Sequence, residues 1–251
     1  MCIRDRYYGS PESLDFTNIY FLLLNYYTLK ASNKIAKERG ESFHNFENSK
    51  YADGSYFDKY LNQTWAPKYD KVRDLFKNIH IPTQADWQAL KEDVMKNGLY
   101  HQNRMAVAPN GSISYINDTS ASLQPIVNRI EDRQEKKIGT IYYPAPGLSN
   151  DTMPYYQSAY DIDMRKVIDV YAAAQQHVDQ GMAMTLFMRS TIPAGLYPWK
   201  DGRTNKMTTR DLNILRNYAH YKGIKSIYYI RTYTDDQEEI GSNACESCSI
   251  W

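Results

Sequence analysis

Two cysteines near the C-terminus of the 251-residue sequence, Cys245 and Cys248, have the spacing of a reactive dithiol. Thiols separated by two residues can close a small disulfide ring and exchange it with another dithiol. Nearby acidic residues disfavour the reactive thiolate, and a basic partner surface would relieve that effect. One such pair supplies only half of a zinc site, so metal binding is the weakest option. The spacing alone supports redox exchange and two inert cysteines about equally.

A short turn sequence has the composition of a phosphate-binding loop. It consists of Pro109, Asn110, Gly111, Ser112, Ile113 and Ser114. Glycine lets a ligand approach the backbone closely, successive N–H groups at a helix start can hold a phosphate, and the two serine hydroxyls add donors. An Asn-Gly dipeptide is also an ordinary turn, and the spacing alone favours that simpler interpretation.

Two adjacent tyrosines in a predicted strand, Tyr228 and Tyr229, form a third candidate. Stacked phenols can pass an oxidising equivalent if their protons have an acceptor. With 23 tyrosines in the chain, however, adjacent pairs are expected by chance. Neighbours on a regular strand also point to opposite faces, so stacking requires the pleat to be distorted or to end there. Taken alone, the pair is better explained by packing within the strand.

The remaining polar residues suggest no site. The five histidines are scattered without ligand-like spacing, and each is expected to be a surface or satisfied core residue. Four aspartates around a predicted helix are interpreted as a solvated face; they are Asp161, Asp163, Asp169 and Asp179. The sequence contains no Walker-type loop, nucleophile elbow or dinucleotide fingerprint.

The elements that must position the candidate residues are helices followed by alternating strands and helices. Periodicity and capping signals predict helices at residues 14–39, 69–78, 84–97, 164–180 and 208–223. Apolar runs predict strands at residues 104–108, 139–143, 184–188 and 224–234. Residues 45–67 are predicted to be an ordered loop. The strand–helix–strand order indicates parallel pairing in an α/β sheet or barrel.

Composition and charge narrow the class of protein. Hydrophobic residues make up 42% and charged residues 24%, as in folded soluble proteins, and 30 basic residues nearly balance 29 acidic ones, which disfavours nucleic-acid binding. No apolar run could span a bilayer and no signal peptide follows Met1, so we expect a cytoplasmic protein without a membrane partner. Residues 234–251 carry a charge of −5, and subtracting it from the net +1 leaves +6 on the rest. The net positive charge of residues 1–233 suits an anionic small ligand, and the acidic segment at residues 234–251 suits a separate partner.

In combination, the sequence resembles the C-terminal part of the large (alpha) subunit of class Ib ribonucleoside-diphosphate reductase, from about Tyr8 to Ile250. Six stretches carry the resemblance: YADGSYF at 51–57, PNGSISYIN at 109–117, IYYPAP at 141–146, HVDQG at 177–181, GIKSIYYIR at 223–231 and CESCSI at 245–250. Each stretch is weak evidence alone. Their order and spacing over almost the whole chain make the resemblance specific.

The resemblance implies an oxidoreductase that converts ribonucleoside diphosphates to 2'-deoxyribonucleoside diphosphates by radical chemistry, in deoxyribonucleotide biosynthesis for DNA replication. The implied fold is the helix-rich C-terminal part of a ten-stranded α/β barrel. Residues 7–234 would be the barrel portion and residues 235–251 a flexible redox tail, whereas residues 1–6 resemble nothing in the family and are interpreted as a spurious start.

The resemblance also implies a role for each candidate. The loop at residues 109–114 would hold the substrate diphosphate, mainly through backbone N–H groups and the Ser112 hydroxyl. Tyr228 and Tyr229 would relay the radical between the small (beta) subunit and the active-site cysteine. Cys245 and Cys248 would carry reducing equivalents from a glutaredoxin-like or thioredoxin-like protein to a disulfide in the barrel.

Cofactors and several family residues are expected outside this chain. The dimetal-tyrosyl radical would belong to the small subunit, the nucleotide effector to a missing N-terminal part, and the full-length subunit would be a homodimer. The family's thiyl-forming cysteine, its flanking Asn and Glu and its two buried redox cysteines are absent, since Cys2 is the only other thiol. Trp251 extends past the usual Ile ending. We therefore expect a fragment that is inactive alone.

The alternative is a non-enzymatic module that docks a thioredoxin-fold partner through its C-terminal cysteines. The genomic sequence upstream of Met1 would decide between the two. An in-frame continuation that contains a cysteine flanked by Asn and Glu supports the enzyme, whereas a genuine start codon supports the module.

Overall fold

The computed structural model of the chain describes residues 6–135, 139–200 and 204–234. Its α-helices are α1 (Pro11–Arg39), α2 (Asp58–Leu61), α3 (Asp70–Phe76), α4 (Gln84–Asn97), α5 (Gly111–Ile116), α6 (Met164–Gln175) and α7 (Thr209–Tyr221). Its strands are β1 (Ile130–Glu135), β2 (Gly139–Pro144), β3 (Thr185–Arg189) and β4 (Tyr229–Tyr233). Single 3-10 turns lie at Phe46–Asn48, Ser55–Phe57, Met153–Tyr155 and Ala159–Asp161.

The chain divides into two compact units. Among the described residues, the helical unit comprises residues 14–106 and 176–180, and the sheet unit comprises residues 6–13, 107–135, 139–175, 181–200 and 204–234. In the part of the chain that the structure describes, no helix combines the length and apolar character needed to cross a membrane.

The helical unit is built around an aromatic and aliphatic core. Apolar residues recur on α1 at helical spacing, so one stripe of the helix is buried; it includes Ile19, Leu22, Leu23, Tyr26 and Leu29. The Trp87 ring of α4 stacks on Tyr60 of α2, with ring centroids 4.0 Å apart and 9° between the planes. Burial of these large rings fixes α2 and α4 against each other.

The sheet unit contains two separate strand pairs. Strands β1 and β2 form an antiparallel hairpin, with Ile130 opposite Pro144. Strands β3 and β4 pair in parallel, with Thr185 opposite Tyr229, and α7 lies between them in the chain. Thr185, Leu186, Phe187 and Met188 of β3 are all buried, as expected for a strand covered on both faces.

Several predicted elements are confirmed. Helix α4 has the predicted bounds because Thr83 and Asp86 form a reciprocal capping box at its start. The box of Thr208 and Asp211 likewise starts α7. Parallel pairing is confirmed for β3 and β4.

Other predicted elements are wrong. The strand predicted at residues 104–108 is reduced to an isolated bridge between Val107 and Met182. Its first two backbone N–H groups bond instead to the carboxylate of Asp179. The helix predicted to extend to residue 180 ends at Gln175. The four aspartates do not form one solvated face, since the Asp179 side chain is only 12% exposed.

The remaining differences concern loops and the barrel. Residues 45–67 contain short helices because Phe46, Phe57 and Tyr60 are buried and anchor the segment. The strand predicted at 224–234 is confined to β4, and β1 was not predicted. Within the described residues the strands form two two-stranded sheets and no closed barrel. The predicted tail at 235–251 and residues 1–5 lie outside the described residues.

Candidate functional site

The predicted loop forms the start of a short helix. Asn110 precedes α5 without a side-chain cap, and its backbone N–H donates to the carbonyl of Ala121 at 2.7 Å. The Ser114 hydroxyl donates to the Gly111 carbonyl at 2.6 Å. That hydroxyl is thus used inside the helix rather than offered as a donor to a ligand. The side chain of Ser112 lies outside what the structure describes.

The two predicted tyrosines are in contact at the start of β4. The ring centroids of Tyr228 and Tyr229 are 4.4 Å apart and the ring planes are inclined by 73°, so the rings meet edge to face. Both backbone N–H groups bond to the carbonyl of Met184, at 2.8 and 3.4 Å. Because the strand begins only at Tyr229, the regular alternation of side chains does not separate the two rings.

The loop and the tyrosine pair line one cavity of about 390 Å³ in the sheet unit. From the loop, Pro109, Gly111 and Ser114 contribute to its wall, and Tyr228 and Tyr229 contribute from β4. Two other predicted residues, Asn110 and Ile113, are not among the lining residues, and the Ile113 side chain is 58% exposed. The structure therefore brings two of the three predicted features together.

Additional residues of this cavity were not predicted as site residues. The Tyr115 hydroxyl donates to the Glu131 carboxylate at 2.6 Å, and the ring of Tyr115 lies 4.7 Å from that of Tyr143. Asp118 adopts a left-handed backbone conformation with φ 47°, which favours Gly, Asn or Asp. Both lining tyrosines lie in stretches that carry the family resemblance, and this is the signal that could have identified them.

The cavity carries charges of both signs. Asp118, Glu131 and Asp132 line it, and Arg231 is the only cationic residue among its described lining residues. The guanidinium carbon of Arg231 lies 5.6 Å from the ring centroid of Tyr229, within the range of a cation–π contact. Desolvation and the hydrogen bond to Tyr228 raise the pKa of Tyr229, whereas the charge of Arg231 lowers it.

The helical unit contains a separate buried polar network. The side chain of Arg104 is 3% exposed and donates to Asn25 Oδ1 and to the Tyr51 hydroxyl, both at 3.0 Å. Burial raises the pKa of Tyr51 to about 12, with Arg104 acting in the opposite direction. Both groups therefore keep their protons at neutral pH.

His177 belongs to the same network as a satisfied core residue. Its Nδ1 lies 3.1 Å from the Tyr60 hydroxyl and its Nε2 lies 3.0 Å from Asn18 Oδ1. Burial, with the nearby charge of Lys59, lowers the pKa of His177 to about 3. The ring is therefore neutral across the physiological range, which agrees with the expected structural role.

The third predicted feature, the dithiol of Cys245 and Cys248, lies outside the described residues. Among the residues that are described, no group of three or more His, Cys, Asp or Glu side chains is arranged to hold a metal ion.

Comparison with known proteins gives consistent matches. The family model described as "Ribonucleotide reductase, barrel domain" matches residues 2–230. The chain is 46% identical to the ribonucleoside-diphosphate reductase subunit alpha of Bacillus subtilis, 44% identical to that of Mycoplasma pneumoniae and 30% identical to that of Helicobacter pylori.

The alignments cover nearly all of this chain but a minority of each relative. They include 97%, 97% and 92% of the chain and 32%, 33% and 26% of the three relatives, respectively. The chain thus spans about a third of the length of the Bacillus subtilis and Mycoplasma pneumoniae subunits.

Proposed function

This chain belongs to the ribonucleotide reductase barrel-domain family, and from that premise we propose that it forms part of the active centre of a ribonucleoside-diphosphate reductase alpha subunit. The proposed reaction is the radical conversion of ribonucleoside diphosphates to 2'-deoxyribonucleoside diphosphates. The observation that carries the proposal is the shared cavity: the loop at residues 109–114 and the pair Tyr228–Tyr229 both contribute to its wall.

The loop is proposed to hold the substrate diphosphate. Backbone N–H groups at the start of α5 have no partner within the helix, and such groups favour an anion. Since the Ser114 hydroxyl bonds inside the helix, backbone groups and the Ser112 hydroxyl would supply the donors. The carboxylates of the cavity would repel a diphosphate, so its phosphates would need the backbone donors of the loop to bind there.

The tyrosine pair is proposed to relay the radical. The edge-to-face contact of the two rings, with centroids 4.4 Å apart, supports direct exchange. Tyr228 is 60% exposed, so it is accessible to a further redox partner. The oxidising equivalent would come from a dimetal-tyrosyl radical in a partner small subunit.

The remaining parts of the proposal concern groups outside the described residues. Cys245 and Cys248 would pass reducing equivalents from a glutaredoxin-like or thioredoxin-like protein to a disulfide of the complete subunit. We further propose a class Ib enzyme, a homodimeric full-length subunit and an effector nucleotide bound by sequence that this chain lacks. Because its three cysteines are Cys2, Cys245 and Cys248, the 251-residue chain is proposed to be inactive alone.

The relay is tested by replacing Tyr228 or Tyr229 with Phe in a complete alpha subunit that carries this sequence. Phenylalanine keeps the ring but has no O–H bond to break, so turnover should fall to below about a thousandth of wild type. Binding of the substrate diphosphate, measured by calorimetry, should remain unchanged. Retained turnover in either variant would contradict the relay.

A second pair of adjacent tyrosines whose rings meet edge to face provides a matched control. Tyr26 and Tyr27 of α1 are also adjacent in sequence and meet edge to face, with centroids 5.2 Å apart. They belong to the helical unit and do not line the cavity. Tyr27→Phe should therefore leave turnover within about twofold of wild type.

A further inference from the structure

Arg231 and Tyr229 lie on the same face of β4. Side chains alternate along a strand, and in β4 Tyr229, Arg231 and Tyr233 are half-buried whereas Ile230 and Thr232 are exposed. The alternation brings the Arg231 guanidinium carbon to 5.6 Å from the centre of the Tyr229 ring. Tyr228, Tyr229 and Arg231 all line the same cavity. The strand thus places a permanent positive charge beside the tyrosine pair.

A positive charge beside a phenol affects its proton and its electron in opposite ways. It stabilises the phenolate, which makes loss of the proton easier. It also disfavours a ring that has lost an electron while still holding the proton, since that species is itself positive. A tyrosine in this position is therefore biased to release its proton together with, or before, its electron.

We propose that Arg231 is a positioning residue for the tyrosine pair: its guanidinium group holds the Tyr229 ring against Tyr228 and eases transfer of the Tyr229 phenolic proton. The inference rests on the proposed radical relay and deepens it. Arg231 neither accepts the proton nor changes its own oxidation state.

The step on which Arg231 acts is a hydrogen-atom exchange between two phenols. When Tyr228 is the radical, the O–H bond of Tyr229 breaks and an O–H bond forms on Tyr228. The proton passes from the Tyr229 oxygen to the Tyr228 oxygen and the electron passes between the contacting rings, so Tyr228 is reduced and Tyr229 is oxidised. The exchange is reversible, and the radical enters from the proposed partner subunit.

Other charges near the pair have to be considered. The carboxylates of Asp118, Glu131 and Asp132 line the cavity and act on a phenol in the opposite direction to Arg231. Tyr228 also opposes Arg231, since its hydrogen bond and its charge both raise the pKa of Tyr229. Removal of Arg231 should therefore leave only influences that raise this pKa.

The test uses a reporter that needs no turnover. 3-Nitrotyrosine is incorporated at position 229 of the 251-residue chain, and its deprotonation is followed by visible absorbance as the pH is raised. Arg231→Gln should raise the reporter pKa by about half a unit, a threefold fall in its acid dissociation constant, as expected for a unit charge at this distance in a water-like medium. Arg231→Lys should restore at least half of that shift.

The controls separate this effect from a loss of structure. Arg210→Gln removes the same charge from an exposed position of α7 that does not line the cavity, and it should leave the reporter pKa unchanged. Circular dichroism and thermal melting establish that each variant is folded, and Arg231→Met is the second neutral variant if Arg231→Gln does not fold. If Arg231 had a purely structural role, its variants would be destabilised, and Arg231→Lys would not restore the reporter pKa.

The outcomes distinguish this inference from the proposed relay. An unchanged reporter pKa in folded Arg231→Gln or Arg231→Met overturns the role of Arg231 and leaves the relay standing. Retained turnover in the Tyr228→Phe or Tyr229→Phe subunit overturns the relay even if the reporter pKa responds to Arg231.

Discussion

Asp211 shows how one buried carboxylate can hold the start of a helix. It is 2% exposed and accepts hydrogen bonds from Trp199 Nε1 at 2.9 Å, Lys200 Nζ at 2.7 Å and the Thr208 hydroxyl at 2.6 Å. Burial alone would raise the pKa of Asp211, but these donors outweigh it and lower the pKa to about 2. The folded protein therefore favours the charged form.

The pH dependence of stability follows from that shift. Because the pKa of Asp211 is lower in the folded state, its contribution is fully present above the unfolded-chain value of about 4 and is lost as the pH falls through about 2. Asp211→Asn should reduce the free energy of unfolding by about 2 kcal/mol at pH 7. It should also flatten the loss of stability between about pH 4 and 2. Urea unfolding at a series of pH values measures both effects.

The second capping box provides the matched control. Asp86 makes the same reciprocal bonds to Thr83 at the start of α4, but its side chain is 34% exposed. Asp86→Asn should cost less than Asp211→Asn because solvent screens the charge. Equal losses in the two variants would show that the buried donors of Asp211 add nothing beyond the cap.

The contact between Tyr228 and Tyr229 is a residue-level feature that the sequence could suggest but not establish. A regular strand would send the two side chains to opposite faces. The contact exists because the strand starts at the second tyrosine, and that start depends on a shared hydrogen bond to Met184. No pattern in the local sequence specifies this tertiary partner.

At the scale of elements, the end of α4 depends on a glycine. Gly98 has φ 76°, and a Cβ atom there would lie 2.6 Å from the Cβ atom of Ser42. Gly98→Ala should therefore carry both the cost of a left-handed alanine and a steric clash. The free energy of unfolding, measured by urea denaturation, should fall by about 3 kcal/mol.

Gly40 separates these two contributions. It ends α1 with φ 68°, but nothing lies within 4 Å of the position that a Cβ atom would take there. Gly40→Ala should cost only the backbone term, about 1 kcal/mol. If both variants lose the same stability, the proposed clash with Ser42 has no energetic consequence.

Elements with strong local signals were predictable and those that depend on distant partners were not. Helix α4 combines a capping box with a terminal glycine, and its bounds were predicted correctly. Strand β1 has a single apolar residue, Ile130, followed by charged and amide side chains, and only its pairing with β2 makes it a strand. The segment at 104–108 has the composition of a strand but bonds to the Asp179 carboxylate.

At the scale of the whole molecule, the candidate site was predictable in part. The resemblance singled out the loop and the tyrosine pair, and the structure places both on one cavity wall. The acidic residues of the cavity and Arg231 were not predicted as site residues. They come from β1, β4 and the loop after α5, which meet only in the folded chain. Within the described residues, the two strand pairs do not close into the ten-stranded barrel that the resemblance implies.

The proposed dithiol also belongs to this scale. In a complete alpha subunit, Cys245→Ser combined with Cys248→Ser should stop multiple turnovers supported by a protein reductant, because the reducing equivalents can no longer be delivered. A single turnover of the prereduced enzyme should be retained, because the cysteines proposed to reduce the substrate belong to another part of the complete subunit. Rapid-quench measurement of the deoxynucleotide formed per subunit distinguishes a single turnover from multiple turnovers.

Continued multiple turnovers in the double variant with the protein reductant would contradict the proposed role of the dithiol.

The position at which β4 ends limits where that dithiol can act. The strand closes at Tyr233, and twelve peptide links separate this residue from Cys245. A fully extended polypeptide of that length spans at most about 43 Å between its end Cα atoms. Any disulfide served by Cys245 of the same chain must therefore lie within that distance, plus the reach of the cysteine side chains, of the last residue of the strand. A more distant disulfide would have to be served by another subunit.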